Sequence, residues 1–325
     1  MPDLSYLQAI VIGALQGVTE LFPVSSLGHS VLVPALIGGS WKHLVTEGAS
    51  ASSNGSAYLS FVVALHVATA LALVVFYRKD WVRIVAAFVS SIRARRIATP
   101  TERLAWLLVV ATIPVGLIGL ALEKLFRVLF ATPMAAAAFL TLNGLILLAG
   151  ERLRTAAEER ANEGSSSGAE AGAATQSAGK GHRSPLLAGL MVTEQRQLDT
   201  LELKESLVIG LFQTLALLAG ISRSGITMVA GLLRGLDHED AAKFSFLLAT
   251  PVILAAGVLK LPSLAGPTAA NIHGQVVVGA VTAGVAAYLS VRFLTRYFTT
   301  RTLIPFAIYS LVAGIGCLLW FGITG

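Results

Sequence analysis

The sequence predicts an all-α polytopic membrane protein built from two inverted-topology repeats, each a re-entrant helix hairpin followed by three transmembrane helices. Three observations lead there. Only 13% of the residues are charged against 55% hydrophobic, with a mean hydropathy of +0.74, whereas a soluble domain is nearer a quarter charged. Six apolar runs reach the roughly 17–25 residues that cross a bilayer. Two further apolar stretches are interrupted by polar residues, proline and glycine; they resemble each other, and each precedes three of the six runs.

The first interrupted stretch, residues 4–39, breaks at Pro23 and Gly28 and contains "QGVTELFPVSSLGH" (16–29). Each half is short and the break is polar, which suggests a hairpin that dips into the membrane and returns to its own side. Such backbone survives at depth only where it is buried in protein or lines a wet cavity. Runs 57–77, 105–122 and 133–150 complete the first repeat (1–155). Residues 156–205 are expected to form a cytoplasmic linker, largely disordered, because 156–182 are rich in Ala, Gly, Ser and Glu without hydrophobic period. The second repeat (206–325) opens with a hairpin over 206–235, broken at Gly220 and Gly225, and continues with runs 241–260, 275–291 and 303–323. Gln16, Ser25 and Gly28 each stand 197 positions before Gln213, Ser222 and Gly225. Three crossings per repeat is an odd number, so the second copy is inverted. Inverted repeats with broken helices place their site near the midplane, where the repeats meet.

The start, Met1-Pro2-Asp3, lacks the basic region of a signal peptide, and no small-residue cleavage site follows the first apolar stretch. The first helix is therefore expected in the mature protein. One cysteine, Cys317, lies in an apolar run and excludes an intrachain disulfide or a thiolate metal site. The net charge of +6 does not point to nucleic acid, because the basic residues cluster between apolar runs. Nineteen Lys/Arg fall on the side holding Arg78 to Arg103. Four (Lys42, Lys124, Arg127 and Lys260) fall on the other, and Arg223 lies within the membrane. The basic side is then cytoplasmic, with both termini outside.

Glu20 and Arg223 carry the functional reading. A charged side chain at the bilayer centre costs about 2.5–3.5 kcal/mol on insertion scales, so such residues are paired, face a cavity and are functional. A structural ion pair is the plainer alternative. Around Arg223 the chain reads Gly220-Ile-Ser222-Arg223-Ser224-Gly225-Ile-Thr227. A glycine-flanked loop opening a helix offers backbone N–H groups and a positive dipole end, and hydroxyls with a forked guanidinium complete an anion site suited to phosphate. In the first hairpin Glu20 could hold a divalent cation or act as a base. Ser25, Ser26 and His29 could attack phosphorus, relay protons or position a phosphate. Gln16 precedes Glu20 by one helical turn.

These two motifs, together with "ALHVATALALVVFYR" (64–78), "FSFLLATP" (244–251) and "LIPFAIY" (303–309), resemble the undecaprenyl-diphosphatase family of the bacitracin-resistance (BacA/UppP) type. The resemblance covers both repeats and most of the chain outside the linker. It implies removal of the terminal phosphate from a C55 polyprenyl diphosphate at the outer face of the bacterial cell membrane, assisted by a divalent cation (Mg²⁺ or Ca²⁺), recycling the carrier lipid of cell-wall synthesis. It further implies that Glu20 is the motif's second acidic residue and His29 its catalytic histidine. Ser25 and Ser26 become its serine pair, and Arg223 its phosphate-binding arginine, with Ser222, Ser224, Thr227 and Gln16 beside the substrate. Gln16 stands where some members have a first glutamate, so a two-carboxylate cation site is not expected. Leu27 replaces a threonine, and Ala219 a proline. His66 matches a histidine of some members, but on a spanning run a helix–helix hydrogen bond is its expected role. The nucleophile stays open among His29, Ser26 and a water activated by Glu20. The competing function is a transporter or flippase of a phosphorylated lipid, which needs Arg223 but has no evident need of both Glu20 and His29.

Overall fold

The structure, a computed structural model, describes residues 4–42, 44, 57–122, 132–170, 197–260 and 271–324, with backbone alone at 57, 160–170, 199 and 260. Among the described residues the regular structure is entirely helical. Helix α1 (Tyr6–Thr19) and α2 (Ser26–Ile37) are joined by a bend, as are α7 (Leu203–Gln213) and α8 (Arg223–Leu233). A short 3₁₀ turn, Thr214–Leu217, lies in the second bend. Six helices among the described residues are long and apolar enough to cross a membrane. They are α3 (Ala57–Phe76), α5 (Pro100–Ala121), α6 (Pro133–Glu170), α9 (His238–Lys260), α10 (His273–Tyr297) and α11 (Ile304–Thr324), and they coincide with the six apolar runs. Leu117, Val258, Val281, Val312 and Trp320 are exposed on their outer faces, where lipid would replace water.

Local signals set the helix starts. Ser5 and Gln8 make a capping box at α1, and Thr99 with Glu102 makes another at α5, which opens on Pro100. The broken pairs are held by close backbone approach. A β-carbon at Gly13 would stand 2.5 Å from the Gly279 carbonyl oxygen on α10, and one at Gly210 would stand 2.5 Å from that of Ala111 on α5. Helix α6 crosses α11 just as tightly: a β-carbon at Gly144 would stand 2.8 Å from the Ala307 carbonyl oxygen, and one at Gly314 3.0 Å from that of Ala137. Small residues let helices approach closely where apolar burial gives no net drive between them in lipid.

Two elements depart from the sequence reading. Helix α4 (Arg78–Ala94) lies in what read as a charged connection. It buries Ile84 and Ser91, the latter accepting from Trp106 Nε1 at 2.9 Å, while Val82, Val85 and Ile92 stay exposed. Its frequent Lys and Arg had masked a helical period. The expected linker also begins late, because α6 runs unbroken to Glu170. Residues 151–163 are dominated by Glu, Arg and Ala, which are strong helix formers, and Arg154 pairs with Glu158 one turn on at 2.7 Å. The linker also ends early: residues 197–205 form a 3₁₀ turn (Leu198–Thr200) and the start of α7, with Leu198 and Leu201 buried, while 171–196 lie outside the described residues.

Candidate active site

Helix α1 ends at Thr19, with Glu20 at its C-cap. The chain then turns so sharply that Val24 N–H bonds to the Phe22 carbonyl at 2.7 Å, and Ser25 adopts φ 70°, the left-handed region that few side chains enter. Helix α2 starts at Ser26. The second bend reaches the same arrangement: Gly220 takes φ 120°, Ser222 is the N-cap, and α8 starts at Arg223. Ser26 and Arg223 thus both occupy the first turn of a helix, at the positive end of its dipole.

The two bends are locked together. Ser25 Oγ accepts from Gly28 N–H in its own helix at 3.2 Å and from Gly220 N–H in the other bend at 3.1 Å. Asn143, buried in α6, donates to the Pro23 carbonyl at 3.0 Å and accepts from Ser222 N–H at 2.9 Å. At this junction Glu20 meets four side chains. Its Oε2 accepts from Ser26 Oγ at 2.5 Å and from Gln16 Nε2 at 3.2 Å, and lies 3.4 Å from His66 Nε2. Its Oε1 accepts from Arg223 Nε at 3.3 Å and Nη2 at 3.2 Å. The remaining arginine nitrogen, Nη1, donates to the Ser245 carbonyl at 3.1 Å.

A cavity of about 250 Å³ opens beside them. Glu20, Ser25, Ser26, His66, Gln213, Ser222 and Arg223 give it a polar end, and Leu59, Val63, Val115, Leu217 and Val252 are among its apolar walls. An anionic head and a hydrocarbon tail fit such a division. The Arg223–Glu20 contacts are long for charge-assisted hydrogen bonds, which run about 2.7–2.9 Å. The guanidinium is held by Glu20 and Ser245 at the cavity lining.

The expected site residues divide in two. Glu20, Ser26 and Arg223 are brought together, with Gln16 steadying the carboxylate. Ser25 and Ser222 line the cavity, yet their hydroxyls cap α2 and α8. Ser224 and Thr227 are buried within the second bend: Ser224 bonds to Ser222 and the Phe22 carbonyl, and Thr227 to the Arg223 carbonyl and Ser245. Neither lines the cavity, so they shape the loop rather than touch a substrate there. His29 is also placed apart. Its Nδ1 donates to the Ser25 carbonyl at 2.7 Å and its Nε2 accepts from the Tyr309 hydroxyl at 2.8 Å, which uses both ring nitrogens away from the cavity lining. The histidine that does reach the cavity is His66. Its nearest ionisable partner is Glu20, so the helix–helix hydrogen bond expected of it is replaced by a place in the site. Asn143 was also missed, although a lone asparagine in "AAAAFLTLNGLILLAG" is the same kind of signal as Glu20.

Residues 9–316 match the sequence profile of the family described as bacitracin resistance protein BacA. The chain belongs to the BacA family. It is 64% identical to undecaprenyl-diphosphatase 2 of Frankia alni, over the whole of both chains. It is 58% identical to the undecaprenyl-diphosphatase of Mycolicibacterium paratuberculosis over 98% of each chain. It is 41% identical to that of Granulibacter bethesdensis over 98% of this chain and 97% of the other. With its six apolar helices, this BacA-family chain is a multi-pass membrane protein.

Proposed function

We propose that the chain is an undecaprenyl-diphosphate phosphatase that releases the terminal phosphate and leaves undecaprenyl phosphate. The observation that carries this reading is the Ser26–Glu20 hydrogen bond at the polar end of the cavity, with Arg223 from the other bend on the same carboxylate. Arg223 swings from Glu20 Oε1 onto the terminal phosphate, whose charge the two helix N-termini also favour. Ser26 Oγ attacks the terminal phosphorus while its proton passes to Glu20 Oε2. The bond to the bridging oxygen breaks, undecaprenyl phosphate leaves with that oxygen, and Glu20 passes its newly gained proton to it, which restores the carboxylate. Water then attacks the phosphoserine; Glu20 takes a water proton, inorganic phosphate departs, and the proton returns to Ser26. His29 serves as a positioning residue that holds the Ser25 carbonyl, and with it the turn that aims Ser26.

The donors facing the cavity suit a divalent cation in part. Among the described residues no three His, Cys, Asp or Glu gather, so the protein offers a half-shell that phosphate oxygens would complete. Glu20 would hold the cation, which neutralises charge developing on the phosphates.

The inverted repeat belongs to the same proposal. Gly13 and Gly210, 197 positions apart like Ser25 and Ser222, each meet a backbone carbonyl on the middle long helix of the other half. Ser25 and Ser222 cap equivalent helices, and the α6–α11 crossing exchanges like contacts in both directions. Seven basic residues between Arg78 and Arg103 support a cytoplasmic face there. Leu59, Val115 and Ala256, which line the cavity, lie at the opposite ends of α3, α5 and α9, consistent with opening toward the outer face. A cysteine placed at Ser40 should then react with an impermeant thiol reagent applied outside intact cells; protection there would reverse the orientation.

Purified protein in detergent, given undecaprenyl diphosphate and Mg²⁺, should release phosphate, and Ser26→Ala should lose at least about a thousandfold of that rate. A transporter would bind the lipid and release nothing. Phosphate release by Ser26→Ala at the parent rate would leave an activated water as nucleophile.

A further inference from the structure

We propose that His66, through Nε2, is the second protein ligand of the divalent cation held at Glu20, so that the site favours cations that accept imidazole, such as Mn²⁺ or Co²⁺, over Ca²⁺. This deepens the reading of the site above and rests on its assignment of Glu20.

The tautomer comes first. His66 Nδ1 lies 2.8 Å from the Val62 carbonyl oxygen. A carbonyl oxygen only accepts, so Nδ1 carries the hydrogen, and in the neutral ring Nε2 presents a lone pair. That lone pair faces Glu20 Oε2, another acceptor, across 3.4 Å. A neutral His66 cannot donate to Glu20. At 3.4 Å, Nε2 is too far from Oε2 for a strong hydrogen bond and is not committed to it. In the neutral ring, two electron-rich atoms thus face one another.

A cation supplies the opposite sign, and the spacing suits it. Two ligands each about 2.1 Å from one ion stand about 3.0–3.4 Å apart for angles between octahedral and tetrahedral. The second shell is also in place. Metal-binding histidines almost always donate their other ring N–H to a carboxylate, a backbone carbonyl or water, which orients the ring and raises its basicity, and Val62 does this here. Acceptors are moreover in surplus nearby: the amide oxygens of Gln16 and Gln213 are buried without a hydrogen-bond partner, and Gln213 lines the cavity. Gln16, one turn before Glu20, offers no second carboxylate, so the second protein ligand comes from α3. Replacing a carboxylate oxygen by an imidazole nitrogen moves preference from hard Ca²⁺ toward transition ions.

Tag-free protein in detergent would be mixed with Mn²⁺, alone and with methylenediphosphonate, and examined by pulsed electron paramagnetic resonance. The parent should show ¹⁴N coupling from a directly bound imidazole. His66→Gln should lose that coupling and bind Mn²⁺ roughly tenfold or more weakly, while Glu20→Gln should lose the bound ion. In phosphate release, the Mn²⁺-to-Ca²⁺ preference should fall at least severalfold in His66→Gln. A parent without ¹⁴N coupling, or a coupling that persists in folded His66→Gln, overturns the proposal. Failure of phosphate release in a parent that shows the coupling would instead sink the phosphatase reading and leave the cation site standing.

Discussion

Among the described residues two buried glutamates each face a histidine, Glu151 with His238 and Glu20 with His66, and the pairs differ in how far their polar atoms are used. In the first, Glu151 Oε1 accepts from His238 Nε2 at 2.7 Å and from Leu303 N–H at 2.6 Å, while Arg154 donates to His238 Nδ1 at 2.6 Å. Both ring nitrogens have partners of the right sign, and the cluster joins α6, α9 and the start of α11. None of its members lines the cavity. In the second, His66 Nε2 faces Glu20 across 3.4 Å, too far for a strong hydrogen bond, on a cavity wall. A closed network spends its polarity on fixing helices. One left with spare acceptors beside a cavity keeps it for something that arrives, and burial alone does not tell the two apart.

The contrast can be broken most directly at Glu20. Glu20→Gln keeps the size of the side chain but removes the base and the charge facing Arg223. Phosphate release should fall by at least about three decades, roughly 4 kcal/mol at 1.36 per decade, while the melting temperature in detergent moves little. An active Glu20→Gln enzyme would return the Glu20–Arg223 contact to a structural ion pair.

His29 gives the next largest effect. If it only holds the Ser25 carbonyl, His29→Ala should slow turnover roughly tenfold and leave lipid binding unchanged, whereas removing a nucleophile or its base costs several decades. A loss of more than a thousandfold in folded protein would restore His29 to the chemistry. The smallest effect on activity belongs to Glu151→Gln. It leaves buried partners imperfectly matched, which costs about 1–3 kcal/mol of stability, and thermal melting should record that loss. Turnover per folded molecule should stay within about twofold of the parent. A catalytic collapse without loss of stability would mean that the two pairs are coupled.

Much of the frame was legible because membrane burial is written in one dimension: six apolar runs gave six long helices. Glu20 and Arg223 were legible for the same reason, since a charge is conspicuous among apolar neighbours. What the chain order hides is direction. His29 lies three residues after Ser26, yet on α2 it turns toward Tyr309. His66 lies forty residues away, yet α3 carries it to Glu20. Ser224 and Thr227 flank Arg223 but turn into the loop. Spacing along a helix sets these directions only once it is known which face meets which neighbour. Helix α4 and the length of α6 were missed for the opposite reason, because their charged residues read as loop although they favour helix.

The hydroxyl of Ser25 accepts one N–H from each bend, and those two donors are 192 residues apart in the chain. Neither half of the polypeptide can therefore complete the turn that aims Ser26 by itself. During synthesis the first half must enter the bilayer with this oxygen holding only its own Gly28 N–H and wait for the second. On the proposed mechanism, catalytic competence would require the halves to dock. A chain severed within 171–196 and expressed as two pieces should regain activity only when both pieces share a membrane, which makes enzymatic output a direct gauge of long-range assembly.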